Sequence, residues 1–484
     1  MKRLVVLFLC IILVFSGCIK RDTTENPDFG GEISLFAYSP DTLNPLSTSH
    51  VTNASLLSSL IYESLVTVNP DLSISPNLAE AWSFSEDGTI CTLRLHQNST
   101  FSDGTPVTCE NVKLSLEQAM SNQDNLFHSI ADYVESYSSE ANVLNIYLKK
   151  PGSDVLPHLN FPVIKSVDTL LGSGLYEVKE TTKSGLILSA VSQKRTNIER
   201  ININFYPKKE MMVNSFLSSE TDLLTADMSA LSKVSSKSET NSVNYVTDTF
   251  VYLGFNNKST ILPDEKIRSA IGYLIDKDKL IENIFVGYAE KTNSPFKPNS
   301  IYGNLYNGDF NFDKELAKSF IEQSEAENLT FNILVNSESE TKKNIAQYVA
   351  DTLNQYDMNV SVSSMPFDQY LKAIEEENYT IYVGEVNIPY DQDLTFMFNS
   401  QGNNLSYSSS YMDSLLYGFS SSTNNDKKIF YATEIQKELL KQVPIISLCY
   451  RTNVLMTSDD IKADFKPLTT NIYYGINNWI SKNQ

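Results

Sequence analysis

The stretch that decides the fold class is residues 329–365. It reads LTFNILVN (329–336), then NIAQYVADTLNQYD (344–357), and closes with MNVSVSSM (358–365). The first and last segments have the apolar alternation of strands, whereas the middle segment repeats its apolar residues at helical spacing. A strand, a helix and a strand in this order are typical of an α/β fold. The sequence therefore predicts an α/β lobe here.

Toward the N-terminus, residues 264–287 carry a longer helical pattern. The pattern predicts one helix that Gly287 ends, because glycine is the residue most often found just past a helix C-terminus. Its apolar stripe consists of Ile267, Ala270, Ile271, Leu274 and Ile275.

A tight turn followed by a helix is predicted from residue 101 onward. The segment FSDGTPVT (101–108) has the Asp-Gly and Pro signals of a turn. Thr108 is placed to cap the helix, and Glu110 in the first turn suits the helix dipole. The apolar positions Val112, Leu116 and Ala119 fall on one face.

The first seventeen residues have the pattern of a secretory signal peptide. Met1-Lys2-Arg3 precede an apolar run from Leu4 to Phe15, and Ser16-Gly17 follow it. The run is about a dozen residues, whereas a membrane-spanning helix needs roughly twenty. We therefore expect residues 1–17 to be removed after export.

Phe15-Ser16-Gly17-Cys18 also resembles a bacterial lipobox, with Phe15 in place of the usual leucine. The resemblance implies that Cys18 is lipidated (palmitate) and becomes the new N-terminus. Two or three acyl chains anchor stably, because each buried methylene contributes about 0.8 kcal/mol. Residues 18–31 are polar and contain Pro and Gly, which predicts a flexible tether.

Charge and length limit the possible classes of function. The chain has 484 residues and a net charge of −20, with 41% hydrophobic and 20% charged residues. Such an acidic surface repels nucleic acid, so no nucleic-acid partner is expected. The composition is that of a globular protein, and the length exceeds what one core usually fills. Two or three lobes are therefore expected.

Three cysteines remain beyond Cys10 and Cys18, and none forms a C-x-x-C pair. Cys91 and Cys449 lie in strand-like runs, so we interpret the cysteines as small buried apolar side chains. A disulfide between Cys91 and Cys109 is the open alternative.

Catalytic and metal-binding patterns are absent from the sequence. None of the motifs G-x-S-x-G, H-E-x-x-H, G-x-x-x-x-G-K-[ST] and G-x-G-x-x-G occurs. The four histidines, His50, His96, His128 and His158, have no close-spaced partner of the kind metal sites use. We predict a protein that is not an enzyme, with no catalytic residues, no metal and no cofactor.

An ordered series of short motifs runs from about residue 32 to 455. In chain order they are TLNPL (42–46), IYESL (61–65), PNLAEAW (76–82), FSDGTPVT (101–108), GSGLY (172–176), LGFN (253–256), IRSA (267–270) and PIISL (444–448). The series resembles the family-5 extracellular solute-binding proteins, the peptide- and nickel-binding receptors of ABC transporters. Cys109 replaces the alanine that is usual after the fourth motif.

The resemblance implies an α/β fold of the two-lobed periplasmic-binding-protein type II, with an extra inserted domain. Lobe I would comprise residues 32–52, 165–250 and 469–484. The inserted domain would comprise residues 53–164, and lobe II residues 251–468. The two discontinuous lobes would be joined by a hinge, with the ligand enclosed between them.

Candidate ligand-binding residues follow from the same resemblance. Peptide-binding members hold the ligand ammonium with an aspartate, and Phe396 as anchor places Pro389 at that position. Polar residues nearby are Glu385, Asn387 and Asp391. No arginine occurs between 269 and 450, although members often use one for the ligand carboxylate. We therefore predict that the ligand is not anchored as a free zwitterionic peptide.

The opposite wall of the pocket would come from the segment after TLNPL. Its candidate residues are Ser49, His50, Val51 and Thr52. Tyr252 and Asn256 are further candidates, because they lie near the expected hinge crossing.

These expectations together predict a substrate-binding lipoprotein on the outer face of a bacterial cell membrane. It would capture a peptide or peptide-like solute for import, with ABC-transporter permease subunits and the membrane as partners. A metal chelate or an oligosaccharide is the alternative ligand, and an orphan surface receptor the alternative role. A surface hydrolase is the alternative from a different class, and a nucleophile, base and orienting group in the cleft would support it.

Overall fold

The computed structural model describes residues 31–38, 43–47, 53–229, 240–306, 308, 310–324, 329–402 and 405–482. The predicted signal peptide and the lipidation site Cys18 lie outside these ranges, as does nearly all of the tether. Within them, no helix has both the length and the apolar character needed to span a membrane.

Short strands dominate the first half of the described chain. In chain order they are β1 (Gly31–Tyr38), β2 (Val66–Val68), β3 (Ile74–Pro76), β4 (Ala79–Phe84), β5 (Ile90–Leu95), β6 (Val134–Glu140), β7 (Val143–Leu148), β8 (Tyr176–Thr182), β9 (Gly185–Ala190), β10 (Ile198–Tyr206) and β11 (Leu223–Ala226). The helices are α1 (Asn53–Ile61), α2 (Cys109–Ser121) and α3 (Lys209–Leu217), with 3-10 turns at His128–Asp132 and Leu156–Asn160.

Helices and strands alternate in the second half. The strands are β12 (Thr240–Phe255), β13 (Ala289–Lys291), β14 (Thr330–Asn336), β15 (Asn359–Met365), β16 (Ile381–Asn387), β17 (Ile445–Ser458), β18 (Ile461–Lys462) and β19 (Ile480–Ser481). The helices are α4 (Glu265–Leu274), α5 (Lys277–Phe285), α6 (Lys314–Ser324), α7 (Glu340–Leu353), α8 (Phe367–Glu375), α9 (Thr395–Phe398), α10 (Ser410–Ser421) and α11 (Asn425–Gln442). Two 3-10 turns lie at Asn354–Tyr356 and Ile476–Asn478.

The predicted strand–helix–strand unit is confirmed as β14, α7 and β15. The two strands pair in parallel from Thr330↔Asn359 to Asn336↔Met365. Ser339 caps α7, because its hydroxyl accepts the Lys342 N–H at 3.3 Å. Parallel strands need such a crossover helix, which covers one face of the sheet.

The cap predicted at Thr108 is confirmed, whereas the single helix predicted at 264–287 is wrong. The Thr108 N–H donates to Asn111 Oδ1 at 3.0 Å, which begins α2. The longer segment forms two helices, α4 and α5. Asp276 accepts the Lys279 N–H at 3.1 Å and so caps a second helix, although the apolar stripe runs on across the break.

Three larger sheets organise the chain. The first has the order β1-β10-β9-β8 and the second β4-β5-β7-β6, the latter built wholly from the predicted inserted domain. The third has seven strands, in the order β11-β17-β12-β16-β14-β15 with β13 on β17. This mixture of sheets and helices is the predicted two-lobed α/β fold.

Two long strands connect the lobes. β12 and β17 pair antiparallel from Thr240↔Ser458 to Gly254↔Ile445, and the register shifts twice near Phe250. Before the shifts Tyr245 packs in the first apolar core, and after them Leu253 packs in the second. The pair therefore crosses from one core to the other, as the strands of a hinge do.

The apolar cores show which parts pack together. One core joins the first sheet to the inserted domain and includes Ile33 and Ile146. Two further cores lie in lobe II, around Ile333 and around Tyr382. Leu455 packs in the first core, although it belongs to the predicted lobe II. The C-terminal boundary of lobe II at residue 468 stays a prediction.

All three cysteines of the described chain are free and buried, as predicted. The alternative disulfide between Cys91 and Cys109 is not formed. Burial raises the pKa of Cys91 and of Cys449 to about 12, so both are uncharged thiols at neutral pH.

Candidate functional site

One edge of β16 is open where two candidate residues lie. β16 pairs with β12 from Ile381 to Asn387, but with β14 only at Ile381 and Tyr382. Beyond Tyr382, the second edge of β16 has no strand partner among the described residues. An open edge presents backbone donors and acceptors to any extended chain.

Backbone alternation shows which residues face this open edge. The Ile388 N–H donates to Asp248 O at 2.9 Å, on the β12 side. The Tyr370 hydroxyl donates to Val383 O at 2.9 Å, on the opposite side. Because successive residues alternate between the two edges, Glu385 and Asn387 turn their N–H and C=O groups toward the open side.

The side chain of Glu385 is held by two cations. Arg451 Nε lies 2.8 Å and Lys342 Nζ 3.8 Å from the Glu385 carboxylate. Arg451 also approaches Asp227, with Nη1 3.7 Å from Oδ2. Burial lowers the pKa of Lys342, against the opposing charge of Glu385. The negative charge of Glu385 is thus compensated by cations of the protein itself.

Arg451 is the functional candidate that the sequence reasoning missed. It lies on β17, directly after the arginine-free run from 269 to 450. The strand register brings Arg451 close to Glu385. Val251 on β12 pairs with Glu385 on one side and with Cys449 on the other. Arg451 is two residues beyond Cys449 and therefore lies on the same face of the sheet.

Asn387, Tyr252 and Asn256 have partners within the scaffold. Asn387 Oδ1 accepts from the Thr249 hydroxyl at 2.9 Å. The buried Tyr252 hydroxyl lies 3.0 Å from that of Tyr382, and burial raises the Tyr252 pKa to about 12. Asn256 donates to the carbonyl oxygens of Glu377 and Tyr379 at 2.8 and 3.0 Å. Ligand contacts by these three residues stay predictions.

Asp391 lies between lobe II and the inserted domain rather than on the β16 edge. Tyr133 donates to its carboxylate, and His158 Nε2 lies 3.1 Å from it. Burial tends to raise the pKa of Asp391, but the hydrogen bonds from His158 and Tyr133 outweigh burial and hold it below its usual range.

Ser129 completes a line of three groups with His158 and Asp391. Its hydroxyl lies 2.8 Å from His158 Nδ1. In the Ser-His-Asp triad the acid binds Nδ1 and the hydroxyl binds Nε2, the reverse of this arrangement. The Tyr133 ring also stacks on His158 with centroids 4.5 Å apart. These contacts fix the imidazole between two domains.

Two cavities lie where the inserted domain meets lobe II. One of about 250 Å³ is lined by Trp82, Tyr302, Tyr390 and Lys428, among others. A second of about 730 Å³ has four aspartates in its lining, at 132, 154, 393 and 413. No group of three or more His, Cys, Asp or Glu side chains in the described ranges could hold a metal ion.

The remaining candidates, Ser49, His50, Val51 and Thr52, lie outside the described residues. The structure therefore brings Glu385 and Asn387 together on one strand end and places Asp391 at a separate interface.

Comparison with known proteins assigns the family. The family model described as bacterial extracellular solute-binding proteins, family 5 Middle, matches residues 73–408. The match covers more than half of the chain, so this protein belongs to the bacterial extracellular solute-binding proteins of family 5. The predicted resemblance is confirmed.

Individual relatives are distant but extend over most of the chain. The probable D,D-dipeptide-binding periplasmic protein DdpA of Escherichia coli (strain K12) is 21% identical, covering 90% of this chain and 92% of its own. The nickel-binding protein NikA of Staphylococcus aureus is 21% identical over 85% and 87%. The unliganded open form of the murein tripeptide-binding protein MppA has a TM-score of 0.81 and 18% identity, covering 93% and 97%. The structural likeness shows the fold.

Proposed function

We propose that this protein is the substrate-binding lipoprotein of an ABC importer and captures a peptide or peptide-like solute in its interlobe cleft. The observation that carries the proposal is the open edge of β16. Glu385 and Asn387 direct backbone groups to that edge, and an extended ligand could pair with them as an added strand. The relatives named for a dipeptide and a murein tripeptide support this ligand class.

The ligand would not be anchored by a free ammonium. The acids near the edge already have partners: Glu385 pairs with Arg451, and Asp248 accepts from Lys297 at 2.7 Å. Asp391 is buried against His158 and Tyr133. A ligand ammonium would compete with these cations for the same carboxylates, so it would gain less than from an acid without a cationic partner. A peptide with a blocked amino end, or a related amide, fits these contacts.

Ligand identification tests the proposal. The soluble domain, residues 30–484, would be purified from its own cells and analysed by native mass spectrometry. Thermal unfolding would then be measured with peptides, nickel–histidine and oligosaccharides. We expect a bound peptide-like mass and stabilisation by peptides. Stabilisation by nickel–histidine or an oligosaccharide, with none by peptides, would contradict the ligand class.

Membrane attachment through Cys18 is part of the proposal. Cys18→Ser should leave an unprocessed precursor or release the protein from the membrane fraction. Ser16→Ala is the matched control, because it changes a small residue beside the cleavage point and keeps the cysteine, so this variant should be lipidated normally. A Cys18→Ser protein that is processed and labelled with fatty acid like the parent would rule out the anchor.

We also propose that binding occurs without chemistry. The family consists of solute-binding proteins, and the Ser129–His158–Asp391 line has its ring nitrogens reversed relative to a hydrolase triad. Peptides and esters should not be turned over. Hydrolysis that survives repurification and disappears in Ser129→Ala would overturn this statement.

A further inference from the structure

The inserted domain and lobe I pack as one apolar body. Their shared core includes Leu35 and Ile203 of the first sheet together with Leu93 and Ile146 of the inserted domain. By contrast, the contacts between the inserted domain and lobe II include several polar and charged groups. A motion of the lobes about the β12–β17 crossing therefore has to break or shift these contacts.

The first contact is an ion pair between Asp154 and Lys428. Lys428 Nζ donates to Asp154 Oδ1 across the interface. The Lys428 side chain is only 4% exposed and the Asp154 side chain only 7%. Lys428 also lies over the Phe419 ring, with Nζ 4.4 Å from its centroid. A buried charge without its partner is strongly unfavourable, so neither group tolerates loss of the other while it stays buried.

The second contact is the pair of His158 with Asp391. The side chains are 7% and 1% exposed, and Nε2 lies 3.1 Å from Oδ2. Ser129 and Tyr133, both from the inserted domain, hold the imidazole and the carboxylate in place. The inserted domain thus supplies three of the four groups in this cluster.

Backbone contacts lie beside the first pair. The Ser153 N–H and hydroxyl donate to Ser422 O at 3.1 and 3.0 Å. Gly152 has a φ of +133°, and a Cβ there would lie 1.9 Å from Ser420 O. The two surfaces are therefore in direct contact, which fixes the geometry of the charged pair.

We propose that the pairs Asp154–Lys428 and His158–Asp391 form a latch that holds the inserted domain against lobe II. Charged groups regain hydration when they separate, which offsets part of the free energy lost when the latch opens. In a solute-binding protein the latched arrangement would retain the ligand; that consequence rests on the proposed function, whereas the latch itself does not.

Interdomain distances in the unliganded full chain test the latch. Spin labels would be attached at Glu135→Cys on β6 and Lys372→Cys on α8, both exposed positions. The native cysteines of the described chain are buried and should not be labelled. Double electron–electron resonance would compare the parent with Lys428→Met, which keeps an unbranched side chain of nearly the same length over Phe419 but removes its charge.

We expect Lys428→Met to increase the population at longer distances at least about tenfold relative to the latched population. Lys437→Met on the same helix removes the exposed pair with Glu434 and the contact with the Tyr306 ring, both within lobe II, and should leave the distances unchanged. If Lys428→Met does not fold, Asp391→Asn replaces it, with the same expected direction. A folded variant with the parent's distances would overturn the latch, whatever the ligand experiments show.

Discussion

The Arg451 guanidinium on β17 lies against the Glu385 carboxylate on β16, with Nε 2.8 Å from Oε1 and both side chains 21% exposed. Arg451→Met should lower the free energy of unfolding by about 1–3 kcal/mol, because Glu385 then keeps only Lys342 at 3.8 Å. Urea denaturation measures the change. Lys291→Met, which breaks an exposed pair with Asp278, is the control and should change stability by less than about 1 kcal/mol. Equal effects of the two substitutions would contradict the prediction.

Asn256 should contribute to stability through its two backbone contacts, and the same variant tests its predicted contact with the ligand. Asn256→Ala removes the donors to the carbonyl oxygens of Glu377 and Tyr379, so we expect a loss of about 1–3 kcal/mol. Asn387→Ala, at an exposed site, should change stability by less than about 0.5 kcal/mol. Unfolding and ligand titration of both variants provide the measurement. Weaker ligand binding by a fully stable Asn256→Ala protein would show that this residue contacts the ligand.

Asp391 should make stability depend on acid pH. Hydrogen bonds from His158 and Tyr133 hold its pKa below the usual range in the folded protein. Its contribution is therefore present above the unfolded pKa, about 3.9, and is lost as the pH falls through the lower folded value. Urea unfolding of the parent and of Asp391→Asn, measured from roughly pH 6 down to roughly pH 3, should give stabilities that converge at the acid end. Parallel curves would contradict the assignment.

The buried thiols should be inert in the folded protein. Cys91, Cys109 and Cys449 are free and buried, and burial raises the pKa of Cys91 and Cys449 to about 12. Ellman's reagent at neutral pH should therefore react with the soluble domain only after unfolding in guanidinium, because the thiolate is the reactive form. Release of a single thiol equivalent without reductant would instead reveal a Cys91–Cys109 disulfide.

Local patterns predicted local structure well. The apolar periods of residues 329–365 correctly predicted β14, α7 and β15, and the cap at Thr108 was correct because it depends on neighbouring residues. The break between α4 and α5 was missed, because the apolar stripe continues across it and hides the N-cap that the Asp276 side chain provides.

Contacts between distant residues could not be predicted in the same way. His158 and Asp391 are 233 positions apart, and neither has a motif that marks it as a partner of the other. Arg451 was overlooked because its relation to Glu385 appears only when β12 is known to lie between their strands. Such pairings depend on sheet order, which short motifs do not encode.

The most direct test of the account is a calorimetric comparison of one binding peptide with a free and with an acetylated amino end. Arg451 already compensates the charge of Glu385. We therefore expect the dissociation constants of the free and the acetylated peptide to agree within about threefold. Arg451→Met should introduce a preference for the peptide with the free amine, because the Glu385 carboxylate then lacks its guanidinium partner and can pair with the ligand ammonium. A charge-assisted hydrogen bond contributes about 1.5–3 kcal/mol, or roughly ten- to a hundredfold in affinity. A preference of about a hundredfold for the free amine in the parent protein, abolished by Glu385→Gln, would contradict the account and indicate an ammonium anchor.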